Sequence, residues 1–258
     1  MPFDVKSIKW KINEYRDFKK ISIRRSLLRD IISEDYKRDS FNIYNSIGRE
    51  MALKMGIKFS DSAPGNLLRE VYFEKIYDKP GFIPSKGDRI IDVGASVGDT
   101  AIYWARMYGA RVIAFEPLSE LYEIMRANIY LNVLDELITT YNLALGDGTD
   151  INFDVDGYMM KNSPNSLKRI KTEKLDNFDF RDISMIKIDV EGFEIHVLKG
   201  AIETIKLNKP KIIIETHSKE LRKKTHELLS SIGYSLIYKD RSRRGNGFMD
   251  EVTNLFYK

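Results

Sequence analysis

A glycine-bearing turn after a short apolar strand is the first feature of the sequence that could do chemistry. The predicted strand Arg89–Val93 contains one carboxylate and runs directly into the turn. Glycine allows a tight turn and a close approach of the backbone to a bound nucleotide. The turn does not match the dinucleotide pattern G-x-G-x-x-G, because Ser96 stands at the middle glycine. The residues predicted to meet a cofactor here are Asp92, Gly94, Ala95, Ser96 and Gly98.

The next predicted strand, Arg111–Phe115, ends in Glu116 and Pro117, and Glu116 lies 18 residues after Gly98. A carboxylate at the tip of the second strand can accept hydrogen bonds from both hydroxyls of an adenosine ribose. It would also repel a 2′-phosphate. Glu116 is therefore predicted to bind the ribose of a nucleotide cofactor.

A second set of titratable residues follows two later apolar runs. Asp189 and Glu191 come after the first run, and Glu215 and His217 repeat the same spacing after the next one. In open α/β sheets ligands bind at the carboxyl ends of the strands, so these groups should face one cleft. Asp189 is the first candidate for a catalytic base, His217 is the second, and Glu191 is a further catalytic candidate. Alternatively, Glu191 caps the following helix.

The same cluster offers a second use, which is binding a metal ion. Asp189, Glu215 and His217 would supply the ligands. Magnesium prefers oxygen ligands, whereas a histidine suits manganese or another transition metal ion. Nothing in the spacing requires an ion, and the sequence alone favours a site without one.

The elements that must position these residues alternate between strands and helices. Five short apolar runs read as buried strands: Arg89–Val93, Arg111–Phe115, 137–145, 185–190 and Lys211–Thr216. Helical patterns lie between and after them at Asp99–Tyr108, 120–130, 194–206 and 219–232. This order predicts an α/β fold with a doubly wound, mostly parallel sheet. Two last strands, 235–238 and Thr253–Tyr257, should close the sheet as an antiparallel edge pair.

Residues 1–80 are predicted to form a helical extension that covers the acceptor site, and residues 81–258 are predicted to form the main domain.

Composition excludes several classes of protein. The chain has 258 residues, no cysteine and three histidines, which excludes disulfides, thiol catalysis and histidine-rich metal sites. No apolar run is long enough to span a membrane, and no secretory signal is visible, so the expected compartment is the cytoplasm. The net charge is +4, with local basic excesses in residues 1–38 and around Arg241–Arg244. Such clusters could hold phosphate, or they could be solvated surface.

Taken in order, the motifs resemble the FkbM-type methyltransferases, which use S-adenosylmethionine. The resemblance runs from about residue 86 to 217 and rests on DVGASVG (92–98), AFEP (114–117), NIYLN (128–132), ALGD (144–147), SL (166–167), TEKLD (172–176), KIDVEGFE (187–194), VLKGA (197–201) and PKIIIET (210–216). It implies a Rossmann-like class I methyltransferase in which Leu145 or Asp147 borders the adenine. It also implies O-methylation of a hydroxyl on a sugar or small metabolite. The family usually has Asn at the position of Ser96, and about the first 65 residues match none of its patterns.

Two other functions remain open at this point. The basic N-terminal residues and the Arg241–Arg244 segment would suit an RNA methyltransferase, although the Asn-Pro-Pro-Tyr-like tetrad of amino-group methylating enzymes is absent after the fourth strand. A non-catalytic module that keeps the cofactor fold is the other alternative. An intact glycine turn with Glu116 and Asp189 argues against it. The predicted partner is a small-molecule or carbohydrate hydroxyl.

Overall fold

The computed structural model describes residues 40–154, 167–241 and 252–258. The basic N-terminal residues 1–39, the SL motif around Ser166, and Arg243 and Arg244 lie outside these ranges, and with them about the first half of the helical extension predicted over residues 1–80. The chain divides into two compact units, Met1–Tyr44 and Asn45–Lys258, and the second contains all of the described strands.

Eleven strands lie in the described residues. In chain order they are β1 Arg89–Val93, β2 Arg111–Phe115, β3 Ile138–Tyr141, β4 Ala144–Leu145, β5 Ile151–Asp154, β6 Leu167–Ile170, β7 Thr172–Glu173, β8 Ile183–Ile188, β9 Lys211–Thr216, β10 Leu236–Arg241 and β11 Thr253–Tyr257. Seven of them form one sheet in the order β10-β11-β9-β8-β1-β2-β3. Two small pairs, β4 with β7 and β5 with β6, stand apart from it.

Seven α-helices lie in the same residues. They are α1 Ser40–Lys54, α2 Gly65–Leu68, α3 Asp99–Tyr108, α4 Ser119–Leu131, α5 Glu194–Lys199, α6 Ile202–Asn208 and α7 Lys219–Ser231. A π-helical turn, Arg69–Phe73, continues α2, and a 3₁₀ turn, Leu175–Phe178, precedes β8. None of the described helices is long and apolar enough to cross a membrane.

The strand order reverses between β1 and β8. From β1 the chain builds outward through β2 and β3, and then returns to place β8 on the other side of β1. These strands and β9 are parallel, whereas β11 is antiparallel to β9 and β10. In open α/β sheets the crevice at such a reversal binds the ligand. The predicted doubly wound fold and its antiparallel end pair are confirmed.

Three predicted elements differ from the structure. The predicted strand 137–145 breaks into β3 and β4, and β4 pairs with β7 instead of joining the main sheet. The predicted helix 194–206 breaks into α5 and α6 at Gly200, where a Cβ would lie 1.8 Å from the carbonyl oxygen of Gly146. The antiparallel pair of β5 and β6 was not predicted at all.

Two apolar clusters cover the two faces of the main sheet. Ile90 belongs to one cluster and Ile91 to the other, because successive side chains of a strand point to opposite faces. The first cluster includes Trp104 and Phe256, and also takes in residues that precede the sheet, such as Leu68 and Tyr72. Residues 51–82 therefore pack into the same core as β1.

Candidate active site

The turn after β1 is held by the neighbouring strands on both sides. The backbone N–H groups of Gly94 and Ala95 donate to the carbonyl oxygen of Phe115 at the end of β2. Gly94 has φ +77°, and a Cβ there would lie 1.8 Å from the carbonyl oxygen of Asp189. The sequence suggested that glycine keeps this place open for a cofactor. In the structure the backbone that follows β8 already leaves no room for a side chain at Gly94.

Ser96 links this turn to Glu116. It adopts a left-handed backbone conformation with φ +49°, which suits asparagine, the usual residue of the family at this place. Its N–H donates to Oε2 of Glu116 at 2.9 Å. Its hydroxyl is buried, and no hydrogen-bond partner for it lies in the described ranges. Gly98 ends the turn with φ +82° and its N–H donates to Ala95.

Glu116 is buried at the tip of β2, and backbone groups meet both of its oxygens. Oε1 accepts from the N–H of Leu118 at 2.9 Å, and Oε2 accepts from Ser96. Burial raises the pKa of Glu116 to about 7, although the two N–H donors act to lower it. Each carboxylate oxygen has two lone pairs, so Glu116 can still accept from ribose hydroxyls. The carbonyl of Pro117, next along the chain, accepts from the side chain of Asn142.

A buried ion pair lies directly below the turn. Lys187 on β8 is opposite Asp92 on β1, and its Nζ lies 3.1 Å from Oδ1 of Asp92 and 3.2 Å from the carbonyl oxygen of Gly94. Nζ also lies 3.8 Å from Oδ2 of Asp189. Burial acts against its charge, yet the pKa of Lys187 is raised because Asp92, Asp189 and Asp99 surround it. Lys187 was not predicted as a site residue, although it is a lone charge inside an apolar strand.

His217 is the centre of a cluster of carboxylates that follows β8 and β9. Its Nδ1 lies 2.8 Å from Oε1 of Glu194. Its Nε2 lies 3.2 Å from Glu191, 3.5 Å from Glu215 and 3.9 Å from Asp189. Burial acts to lower the pKa of His217, but the surrounding carboxylates outweigh it and raise the pKa to about 11.

The turn between β8 and α5 brings the predicted catalytic residues together. Glu191 has a left-handed φ of +52°, and its side chain faces His217. Glu194 accepts the N–H of Gly192 at 2.9 Å, so this buried residue ties the turn to His217. Sequence analysis missed Glu194, because its partner His217 lies 23 residues away.

Leu145 and Asp147, which the family resemblance placed near an adenine, stand at the end of β4. Leu145 is buried in the second apolar cluster. Asp147 accepts from the N–H of Thr149 and lies 2.9 Å from Nδ1 of His196. Burial acts to raise the pKa of Asp147, but its bonds to Thr149 and His196 lower it to about 2.

Two asparagines of the NIYLN motif join the loop before the sheet to this edge. Asn128 accepts from the N–H of Ser60 at 2.8 Å and donates to the carbonyl oxygen of Val97 at 2.9 Å. Asn132 exchanges two hydrogen bonds with the backbone of Lys58. The motif therefore fixes the loop around Lys58–Ser60 beside the glycine turn.

The residues around the turn fit a nucleoside cofactor such as S-adenosylmethionine. The buried hydroxyl of Ser96 and the remaining lone pairs of Glu116 offer polar groups for a ribose. One oxygen of Asp92, Oδ2, is likewise buried, and no hydrogen-bond partner for it lies among the residues described. When bound, S-adenosylmethionine supplies an electrophilic methyl group on sulfur. These three residues are the ones that would hold it.

Solved structures share this fold at low sequence identity. The crystal structure of methyltransferase FkbM from Methylobacillus flagellatus KT matches with a TM-score of 0.52 at 18% identity, over 83% of this chain and 59% of that chain. This chain therefore spans less than two thirds of that protein's length. The METTL16 MTase domain matches with a TM-score of 0.53 at 13% identity, over 83% of this chain and 78% of that one. At these identities the likeness shows the fold alone.

Two comparisons at the level of sequence bear on the family of this chain. The AMB antimetabolite synthetase AmbE of Pseudomonas aeruginosa is 34% identical over 62 residues, which are 24% of this chain and 3% of AmbE. The family described as the methyltransferase FkbM domain matches residues 92–236. That match covers more than half of the chain and includes the glycine turn, Glu116, Asp189 and His217. The resemblance read from the motifs is confirmed: the chain belongs to the FkbM methyltransferase family, whose members take the methyl group from S-adenosylmethionine.

Proposed function

We propose that this methyltransferase acts on a hydroxyl oxygen of an uncharged acceptor, either a sugar or another small metabolite. The observation that carries the proposal is the cluster of carboxylates at the carboxyl ends of β8 and β9, next to the glycine turn. Asp189, Glu191 and Glu215 all lie within 3.9 Å of Nε2 of His217. Such a cluster repels phosphate groups, and it offers an acceptor for the proton that a hydroxyl must lose.

Asp189 is our candidate for the group that receives this proton. It follows β8 at the strand-order reversal. Its carbonyl oxygen is in contact distance of Gly94 in the glycine turn after β1, which is the cofactor turn. A carboxylate has a far lower pKa than an alcohol, so it cannot deprotonate the acceptor in advance. It can take the proton as the new C–O bond forms.

His217 is less suited to that task because of its geometry. Nδ1 faces Glu194, and Nε2 faces three other carboxylates. Nδ1 is therefore engaged by Glu194, and Nε2 is buried among carboxylates instead of facing solvent. We therefore propose that His217 organises the carboxylates, together with Glu191.

The test is a methyl-transfer assay with labelled S-adenosylmethionine and panels of sugars, hydroxylated metabolites and RNA. We expect label in a neutral hydroxyl compound. With that acceptor, Asp189→Asn should slow turnover by about 10²–10⁴-fold while S-adenosylhomocysteine affinity stays within a few fold. Glu203→Gln, at an exposed position on α6, is the matched control and should be neutral.

Other outcomes would decide against the proposal. Label in RNA alone would favour the RNA methyltransferase alternative. Binding of S-adenosylhomocysteine without transfer to any compound would favour a non-catalytic module. Near wild-type turnover of Asp189→Asn would show that Asp189 is not the proton acceptor.

A further inference from the structure

We propose that Asp189, Glu215 and His217 form a binding site for one divalent transition-metal ion beside the cofactor turn. Each offers one ligand atom, and the three atoms lie within 4.8 Å of one another. Glu215 is almost fully buried, while Asp189 and His217 are partly exposed to solvent. This inference rests on the proposed function and adds a means of binding the acceptor.

The orientation of His217 carries the proposal. Nδ1 is 2.8 Å from Oε1 of Glu194, a wholly buried carboxylate that is itself fixed by the N–H of Gly192. With Nδ1 donating to Glu194, Nε2 points at the other carboxylates. Histidine ligands of metal ions are held in this way by a carboxylate on the second ring nitrogen.

The environment of Nε2 is a second observation. This nitrogen is buried, and within the described part of the chain no group makes an aligned hydrogen bond with it, although three carboxylates are near. Neighbouring ligand atoms on a shared metal ion are roughly 3.0–3.5 Å apart, given metal–ligand bonds of about 2.0–2.2 Å. The separations from Nε2, 3.5 Å to Glu215 and 3.9 Å to Asp189, need to close by only a few tenths of an ångström.

The charges and donor atoms indicate which ion would bind. Four carboxylates (Asp189, Glu191, Glu194 and Glu215) surround one imidazole, and Lys187 lies 3.8 Å from Oδ2 of Asp189. A divalent ion in place of the Nε2 proton offsets this negative charge. Because one donor is an imidazole nitrogen, the site suits manganese or a similar transition-metal ion better than magnesium.

A metal ion here would change how the acceptor loses its proton. A hydroxyl oxygen bound to the ion would have a lowered pKa, so its proton would pass more readily to the carboxylate of Asp189 as the C–O bond forms. Glu191 lies 3.2 Å from Nε2 and is 37% exposed, so it is the most accessible carboxylate of the cluster.

The experiment measures metal binding without turnover. The full chain is treated with a chelator and titrated with manganese chloride by calorimetry, and the bound ion is examined by pulsed electron paramagnetic resonance. We expect one ion per chain and a coupling to an imidazole nitrogen. His217→Gln and Glu215→Gln should each weaken binding at least tenfold, whereas His226→Gln on α7 should leave it unchanged.

Several results would overturn the site. They are an affinity no tighter than millimolar, a wild-type spectrum without nitrogen coupling, or binding as tight as that of the wild type in both folded variants. The spectrum of the wild-type protein keeps the test valid even where a variant does not fold. Methylation that proceeds at an unchanged rate after chelation would reject the metal ion and leave the proposed function standing. Metal binding without methyl transfer to any hydroxyl compound would support the metal site and reject the proposed function.

Discussion

Glu116 shows how opposing effects set the charge of one side chain. Two backbone N–H groups favour the carboxylate, but burial favours the neutral acid and prevails, so the pKa rises to about 7. A ribose hydroxyl donates best to a charged carboxylate. Cofactor binding should therefore require Glu116 to lose its proton.

The first prediction is a pH dependence of cofactor affinity. Because the folded-state pKa is raised, Glu116 holds its proton below about pH 7 and loses it above. S-adenosylhomocysteine should therefore bind more tightly as pH rises from about 5.5 to about 8.5, as measured by calorimetry. Glu116→Gln should bind about tenfold more weakly at high pH and show a flatter profile. Asp99, whose pKa burial also raises to about 7, is the control, and Asp99→Asn should keep the slope.

The second prediction concerns the buried pair of Lys187 and Asp92. Lys187→Met leaves Asp92 as an uncompensated buried charge, which should lower the free energy of unfolding by about 3–5 kcal/mol. Urea denaturation would measure the loss. Adding Asp92→Asn in the same chain should restore part of it, because the unpaired charge is then removed.

Lys206 provides a matched control for this pair. Its Nζ lies 3.0 Å from Glu203, but both side chains are more than half exposed. Exposed ion pairs contribute little, so Lys206→Met should have no marked effect on unfolding. Equal effects of Lys187→Met and Lys206→Met would mean that burial does not strengthen the inner pair.

At the scale of elements, local patterns predicted the strands that form the sheet, but not where elements break. Runs such as IIDV and IIIE are apolar because both faces of a parallel sheet are buried, so β1 and β9 could be placed from sequence. The break between α5 and α6 falls at Gly200, which packs against Gly146, a residue more than 50 positions away. No local pattern contains that contact.

The residues of the candidate site likewise include some that could be predicted from sequence and some that could not. Asp189, Glu191, Glu215 and His217 could be placed together because the ends of parallel strands share one edge. Lys187 and Glu194 could not, because their roles depend on Asp92 and His217, which are distant in sequence. The hydrogen bonds of Asn128 to Ser60 and Val97 were also out of reach.

The third prediction separates two reasons for glycine in turns. Gly94 and Gly81 have similar positive φ values of +77° and +82°. An added Cβ at Gly94 lies 1.8 Å from the carbonyl oxygen of Asp189, whereas at Gly81 it meets no atom of the described residues within 4 Å. Gly81→Ala should cost about 1–2 kcal/mol, the penalty of the backbone conformation. Gly94→Ala should cost clearly more and lower the melting temperature further. Equal losses would show that the contact with Asp189 relaxes.

At the scale of the whole molecule, the cofactor turn joins parts of the chain that are distant in sequence. Tyr72, before the sheet, donates to the carbonyl oxygen of Asp99 at 2.8 Å, and Lys187 contacts Asp92 and Gly94 from β8. A ligand that binds this turn therefore binds the folded chain and not the unfolded one.

The fourth prediction follows from that coupling. S-adenosylhomocysteine at a hundredfold excess over its dissociation constant should stabilise the protein by about 2.7 kcal/mol. For a chain of this size the melting temperature should rise by about 5–10 °C in a thermal-shift measurement. S-adenosylhomocysteine should give a smaller rise in Glu116→Gln. An equal rise in both would indicate that the ligand binds elsewhere.

The position of β11 has a consequence for the order of folding and for aggregation. This strand lies between β9 and β10, yet it follows both of them in the sequence. Until it is in place, β9 presents an open edge whose centre is Ile212, Ile213 and Ile214, with no proline or charge among them. Apolar open edges pair readily with other chains. Contact with other copies of the chain therefore leads to aggregation most readily in the stage of folding before β11 inserts between β9 and β10.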